Sequence, residues 1–206
     1  MEEKITYFEK SGKENTEETL QLVLERAKRR GINKVVLAST RGDTARLAAE
    51  HFAGSGIKLV VIPHQWGFRD VQRFPQELVT ELERKGHRVH FGTMLFHTDS
   101  LYGSHIPAVM ATLLRIFCQG MKVCVEIIMM ATDGGCVITG EEIIAVAGTG
   151  SGADTAVVAI AAPSTRLSDL HISEIICKPR ETISRPVGTR PPVSITPITP
   201  PPDVSI

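Results

Sequence analysis

The sequence lacks any excess of charge: 23 basic and 23 acidic residues leave a formal net charge of zero. A chain without a global field exerts no long-range pull on a polyanion or an anionic bilayer, so neither nucleic acid nor a membrane is an expected partner. Long apolar runs are missing as well. No stretch approaches the roughly 20 residues of a spanning helix, and the opening MEEKITYFEK is charged where a secretory leader would be apolar. A cytoplasmic location is the expectation. Aromatic residues make up 5% of the chain, with one tryptophan, so any stacking surface rests on few side chains. Cysteine is sparse. Cys118, Cys124, Cys136 and Cys177 form no C-x-x-C pair and have no histidine at metal spacing, and the first three fall in largely apolar stretches. They read as buried free thiols, and no metal is expected.

What is present is ordinary globular material followed by a change of composition. With 206 residues, of which 42% are hydrophobic, the chain can bury a sizeable core as one domain. From Pro179 onward it is rich in proline, serine and threonine and poor in large apolar residues. Residues 1–180 therefore read as the domain and 181–206 as a tail. The tail would be extended or polyproline-like in isolation. Its isolated valines and isoleucines suggest that it lies along the domain or a neighbouring subunit. Together with an apolar helical stretch within 107–132, they point to a homo-oligomer.

Along the domain, helical and extended patterns alternate. Asn15 or Thr16 can cap a helix running to Arg30, with Glu17 and Glu18 in its first turn, Lys28 to Arg30 in its last, and Gly31 ending it. KVVLAS (34–39) and IKLVVIP (57–63) are β-branched and apolar on both faces, as buried parallel strands are. Between them, residues 43–53 suit a helix that Asp43 can cap. A helix over 75–85, a weaker strand over 87–92 and helices over 107–118 and 119–132 follow. Strands over 141–148, 155–162 and 170–178 close the domain, with no room for a helix between them. The fold class expected is a three-layer α/β sandwich with a mostly parallel sheet, ending in a β-meander.

In such a sheet, ligands bind where the loops leave the carboxyl ends of the strands. Four loops qualify: STRGDT (39–44), HQWGFRD (64–70), GTMLFHTDSLYGSH (92–105) and GTGSGAD (148–154). In STRGDT, the unpaired amides at a helix start, the hydroxyls of Ser39, Thr40 and Thr44, Arg41 and a permissive Gly42 are what a phosphate needs. Asp43 works against this, since a capping carboxylate competes for the same amides; a plain strand-to-helix turn is the alternative. GTGSG has two of the glycines of a dinucleotide fingerprint, but the third is misplaced, the following residues are β-branched and there is no P-loop lysine. What remains is a donor-rich loop able to form a nest around an anion, or else a wide hairpin turn.

Other groups have competing readings. His64, His97 and His105 all fall on these loops; their spacing matches no metal motif, and His64 leads as an acid–base candidate. Burial within KVCVEIIMM would raise the pKa of Glu126, but Lys122 one turn earlier offers a simple ion pair. Met129 and Met130 read as core filling. Trp66, Gly67 and Phe68 on the second loop and Tyr102 on the third supply rings for stacking on a planar ligand, or for ordinary loop packing.

The stretches YFEKSGKENTEETL (7–20), VVLASTRGDTA (35–45), QGMKVCVEIIMMATDGG (119–135), GEEIIAVAGTGSGADTA (140–156) and EIICKPR (174–180) resemble the C-terminal α/β domain of pyruvate kinase. More closely, they resemble a chiefly archaeal family of stand-alone proteins built on that domain. The resemblance implies that Ser39, Thr40, Gly42 and Thr44 hold a phosphate in the first loop, and Gly148, Thr149, Gly150, Ser151, Gly152, Ala153 and Asp154 in the second. Asp43 departs from the basic or small residue that the kinase often carries there. The catalytic barrel of pyruvate kinase is absent from the chain, so the resemblance implies no kinase activity. Some relatives are associated with flavin mononucleotide, which makes FMN the expected cofactor, with His64, Trp66, Gly67 and Phe68 of the second loop as further cofactor-binding candidates. Two other functions stay open: an enzyme acting on or through that ligand with a loop histidine, and a structural or regulatory subunit whose phosphate site is vestigial.

Overall fold

The structure is a computed structural model and describes residues 2–181. A seven-stranded sheet forms its middle layer. In chain order the strands are β1 (Thr6–Phe8), β2 (Lys34–Ala38), β3 (Lys58–Ile62), β4 (Arg88–Val89), β5 (Glu142–Ala147), β6 (Thr155–Ile160) and β7 (His171–Pro179). Their spatial order is β1-β7-β6-β5-β2-β3-β4. Strands β2 to β5 run parallel, β5-β6-β7 form an antiparallel meander, and β1 lies parallel to β7 at the edge. The chain thus builds a three-layer α/β sandwich with a mixed sheet.

The strands are apolar on both faces because both faces are covered. Val35 and Leu37 of β2, Leu59 and Val61 of β3, and Ile144 and Val146 of β5 enter one core. That core also takes the buried faces of α1 (Thr16–Arg30), α2 (Asp43–His51) and α3 (Gln76–Arg84). Their alternates Val36, Val60, Ile62, Ile143 and Ala145 enter a second core against α6 (Gln119–Asp133). The period of two along each strand assigns its residues to the two layers. A short α4 (Asp99–Tyr102) and α5 (Ile106–Leu114) lie outside α6.

Several expected elements shift. β1 has no counterpart in the sequence reading, because three residues at a sheet edge carry no periodicity. The strand expected over 87–92 shrinks to Arg88–Val89 at the opposite edge. Helix 107–118 ends at Leu114, and Cys118 becomes the cap of α6, its sulfur accepting the Met121 amide at 3.3 Å. A 3-10 turn over Ser164–Asp169 joins β6 to β7. Two caps are also corrected. Asn15 makes no side-chain cap on α1; its amide donates instead to the Lys10 carbonyl at 2.8 Å. Asp43 does not cap α2: Gly42, at φ 93°, takes the cap position, and Ser39 Oγ accepts the Ala45 amide at 3.3 Å.

The cysteines are free, with Cys118, Cys124 and Cys177 buried. No helix among the described residues is long and apolar enough to cross a membrane. The tail expected over 181–206 lies outside the described residues apart from Glu181, which accepts the Ser11 amide and hydroxyl at 2.9 and 3.0 Å.

Candidate functional site

The four carboxyl-edge loops converge on one cleft of about 930 Å³. Its near wall is the turn between β2 and α2. There the Ser39 hydroxyl is committed to Ala45, while Thr40 Oγ1 lies 3.2 Å from His64 Nε2 across the mouth of β3. Thr44 is buried and lines the cleft, and its hydroxyl has no partner among the described residues. Gly148, Gly150, Ser151 and Gly152 form the adjoining rim.

Two of the loop glycines are explained by packing alone. A Cβ on Gly152 would collide with Thr16 Oγ1 and would lie 2.5 Å from the Lys13 Cα, and one on Gly148 would strike the Gly152 carbonyl. Gly150, at φ 78°, has open space around it and serves the turn. The close approach at Gly152 brings the start of α1 onto the cleft. The Ala153 amide donates to Thr16 Oγ1 at 3.0 Å, and Lys13, Glu14, Thr16 and Glu17 become wall residues. Sequence reasoning missed this wall, since its only local signal is the glycine itself.

The far wall belongs to the other layer. Helix α6 contributes Gln119, Lys122, Val123, Glu126, Ile127 and Met130. The ion pair expected between Lys122 and Glu126 is present at 2.5 Å, with both side chains almost fully buried. The other carboxylate oxygen of Glu126 accepts the Phe96 amide at 2.9 Å and lies 3.4 Å from His97 Nδ1. Burial works to raise the Glu126 pKa, but His97, Lys122 and the Phe96 amide together outweigh it and hold the carboxyl below its ordinary range. Burial lowers the Lys122 pKa despite its partner. His64 is pushed down by burial first, then by His97 and Arg73, so it favours the neutral form. Phe68 stands edge-on between His64 and His97, at ring separations of 4.8 and 5.3 Å.

The first turns of α1, α2 and α6 all border this space, and each is a partly positive helix N-terminus. Glu17 and Asp43 partly neutralise the first two, whereas α6 has no acidic residue in its first turn. Lys13, Arg41 and Arg73 stand exposed at the rim and form no ion pair among the described residues. The family model of the pyruvate kinase alpha/beta domain matches residues 17–159, from the first turn of α1 into β6. The chain belongs to that family. The pyruvate kinase α/β domain match spans the STRGDT and GTGSGAD loops and all of α6, but omits β1, β7 and the residues before Glu17 that line the cleft.

Not every expected site residue reaches this domain's cleft. Asp154 is fully buried beneath the loop, where it accepts the Gly12 amide at 3.0 Å, the Thr149 amide at 3.1 Å and the Thr155 hydroxyl at 2.8 Å. Its role is to hold the loop onto the α1 entrance. Thr149 and Gly42 also sit behind the wall. Gly42 is packed against Leu78, which its missing Cβ permits. Trp66 and Gly67 are exposed beside the cleft, with the Trp66 ring 5.8 Å from that of Phe91. His105, at the N-cap of α5, and Tyr102, on α4, do not line it. Among the described residues, no group of three His, Cys, Asp or Glu side chains is placed to hold a metal ion.

Proposed function

We propose that this chain binds a phosphorylated small molecule in the carboxyl-edge cleft, with FMN as the leading candidate. The observation that carries this reading is that one cleft lining combines anion donors with an apolar surface. The donors are helix starts, the open Thr44 hydroxyl, the Ser151 loop and the uncommitted Arg41 and Arg73. Amides at helix starts and guanidinium groups are the donors that phosphate recognition uses. Beside them the lining is largely apolar, with Ile62, Phe68, Met94, Val123, Ile127 and Met130 set around the Lys122–Glu126 pair and His97.

These residues fit a mononucleotide with one anionic and one planar end, and a volume of about 930 Å³ lies in the range of small-molecule sites. Arg41, Thr44 and Ser151 would hold the phosphate, and Phe68, Met94 and Met130 would take the ring. A flavin bound there would supply one- and two-electron redox chemistry. Trp66 takes no part in this reading, because it lies off the cleft.

A thermal-shift comparison of FMN, riboflavin, fructose 1,6-bisphosphate and inorganic phosphate tests the proposal. FMN at about 100 times its dissociation constant should stabilise the fold by roughly 2.7 kcal/mol, with riboflavin much weaker. Equal shifts from FMN and riboflavin would remove the phosphate end from the proposal. If none of the four stabilises the chain, the vestigial, regulatory reading takes its place.

A second reading, an enzyme with a loop histidine, is favoured by the Glu126–His97 contact at 3.4 Å. A carboxylate beside one ring nitrogen orients a histidine for proton transfer through the other. This moves the acid–base assignment from His64, whose Nε2 is taken up with Thr40, to His97. The test is a pH–rate profile of any turnover found, in the wild type and in His97→Gln and His64→Gln variants. Loss of turnover only in His64→Gln would reverse the assignment.

A further inference from the structure

The segment 99–117 is apolar on both of its sides. On the inner side, Met110, Ala111 and Leu114 pack with Phe96, Val125 and Met129. On the outer side, Leu101, Tyr102, Ile106, Val109, Leu113, Ile116 and Phe117 remain between 53% and 75% exposed. Ile106, Val109 and Leu113 follow the three- and four-residue spacing of one helical face. A helix that is apolar all round belongs in an interior, yet half of α5 has no cover among the described residues.

The face has the properties of a surface meant for another protein surface. Thr112, the exposed polar residue within α5, donates its hydroxyl to the Ala108 carbonyl at 2.8 Å and turns no unmet donor outward. Across residues 99–117 the formally charged side chains are Asp99 and Arg115. Asp99 accepts the Ala108 amide at 3.3 Å, and Arg115 donates to Gln119 at 2.7 Å. A membrane-surface helix is bordered by lysine and arginine that meet anionic headgroups. Here that border is missing, and nothing on the face repels an identical face. At ordinary side-chain areas the seven outer residues present on the order of 900 Å², against the roughly 800 Å² that each partner contributes to a standard stable interface.

We propose that this α4–α5 face is the interface of a homodimer, in which α5 of one chain packs against α5 of a second copy about a twofold axis. A self-complementary patch of one chain closes with its own copy into an isologous pair, which accounts for a neutral, apolar face of this size. The proposal does not depend on what the cleft binds.

Sedimentation equilibrium of the full chain tests it. The wild type should sediment as twice its 22.5 kDa mass at micromolar concentration. Leu113→Glu should weaken association by at least 100-fold with an unchanged far-ultraviolet circular dichroism spectrum, whereas Ile138→Glu, at an isolated exposed apolar residue, should leave the dimer intact. Val109→Cys gives an independent readout in an otherwise native face: mild oxidation should produce a disulfide-linked dimer. A wild type that stays monomeric, whether free in solution or recruited to anionic phosphatidylserine vesicles, overturns the proposal. So does a Leu113→Glu dimer as tight as the wild type, or a Val109→Cys chain that does not cross-link.

Discussion

The buried carboxylate of Asp154 accepts the backbone amide of Gly12 at 3.0 Å, joining residues 142 positions apart. The same carboxylate takes up the Thr149 amide and the Thr155 hydroxyl, so one side chain fixes the glycine loop, the start of β6 and the entrance to α1. Replacing it with alanine strands two backbone donors in a dry site. Asp154→Ala is expected to lose roughly 2–4 kcal/mol of stability, measured by urea denaturation. An unchanged midpoint would mean that the loop holds itself together without this carboxylate.

Gly152 and Gly150 both have positive φ, at 70° and 78°, but only the first faces a packed neighbour. Gly150→Ala should cost about 1 kcal/mol from backbone strain alone. Gly152→Ala should cost clearly more, because the new Cβ drives the α1 entrance away from the loop. Comparing the two variants by thermal denaturation checks the order, and equal costs would contradict the packing role given to Gly152.

Glu126 is held below its ordinary pKa of 4.5, so it contributes stability above that value and loses it as pH falls through the folded pKa. Glu126→Gln leaves the buried Lys122 charge uncompensated and should cost roughly 3–5 kcal/mol near neutral pH. As pH falls through the folded pKa, which lies below 4.5, the difference between wild type and variant should shrink, since the wild-type carboxyl then becomes neutral as well. Lys122 has the opposite linkage: its lowered pKa means that stability is regained as pH rises towards 10.5. Denaturation curves from pH 3 to 8 decide the first point, and a difference that stays constant across this range would count against the ion pair.

Arg41 and Arg73 are exposed and unpaired among the described residues, so neither is needed for the fold. Arg41→Ala and Arg73→Ala should leave the free protein within about 0.5 kcal/mol of wild type. Each should weaken FMN binding by roughly tenfold or more, the worth of a charge-assisted contact to phosphate. Calorimetric titration measures this, and full affinity in both variants would place the anion elsewhere.

Much of the architecture was legible along the chain. After a charged first residue, β2, β3 and β5 are apolar on both faces because helices cover both sides of the sheet, and the end of α1 is marked by Lys28, Arg29, Arg30 and Gly31. Once the strands are parallel, their carboxyl ends share one edge, which is why the sequence alone brings STRGDT and GTGSG together. The tertiary structure decided which side chains face the resulting space. It set Asp154 behind the loop, turned Trp66 onto Phe91, and added the start of α1 and the buried Lys122–Glu126 pair as walls. The reason is physical. Periodicity and capping act over a few residues and are written locally, whereas the orientation of a side chain towards a cleft depends on contacts between distant segments. The missing Cβ of Gly152 is informative only once Thr16 is known to lie against it.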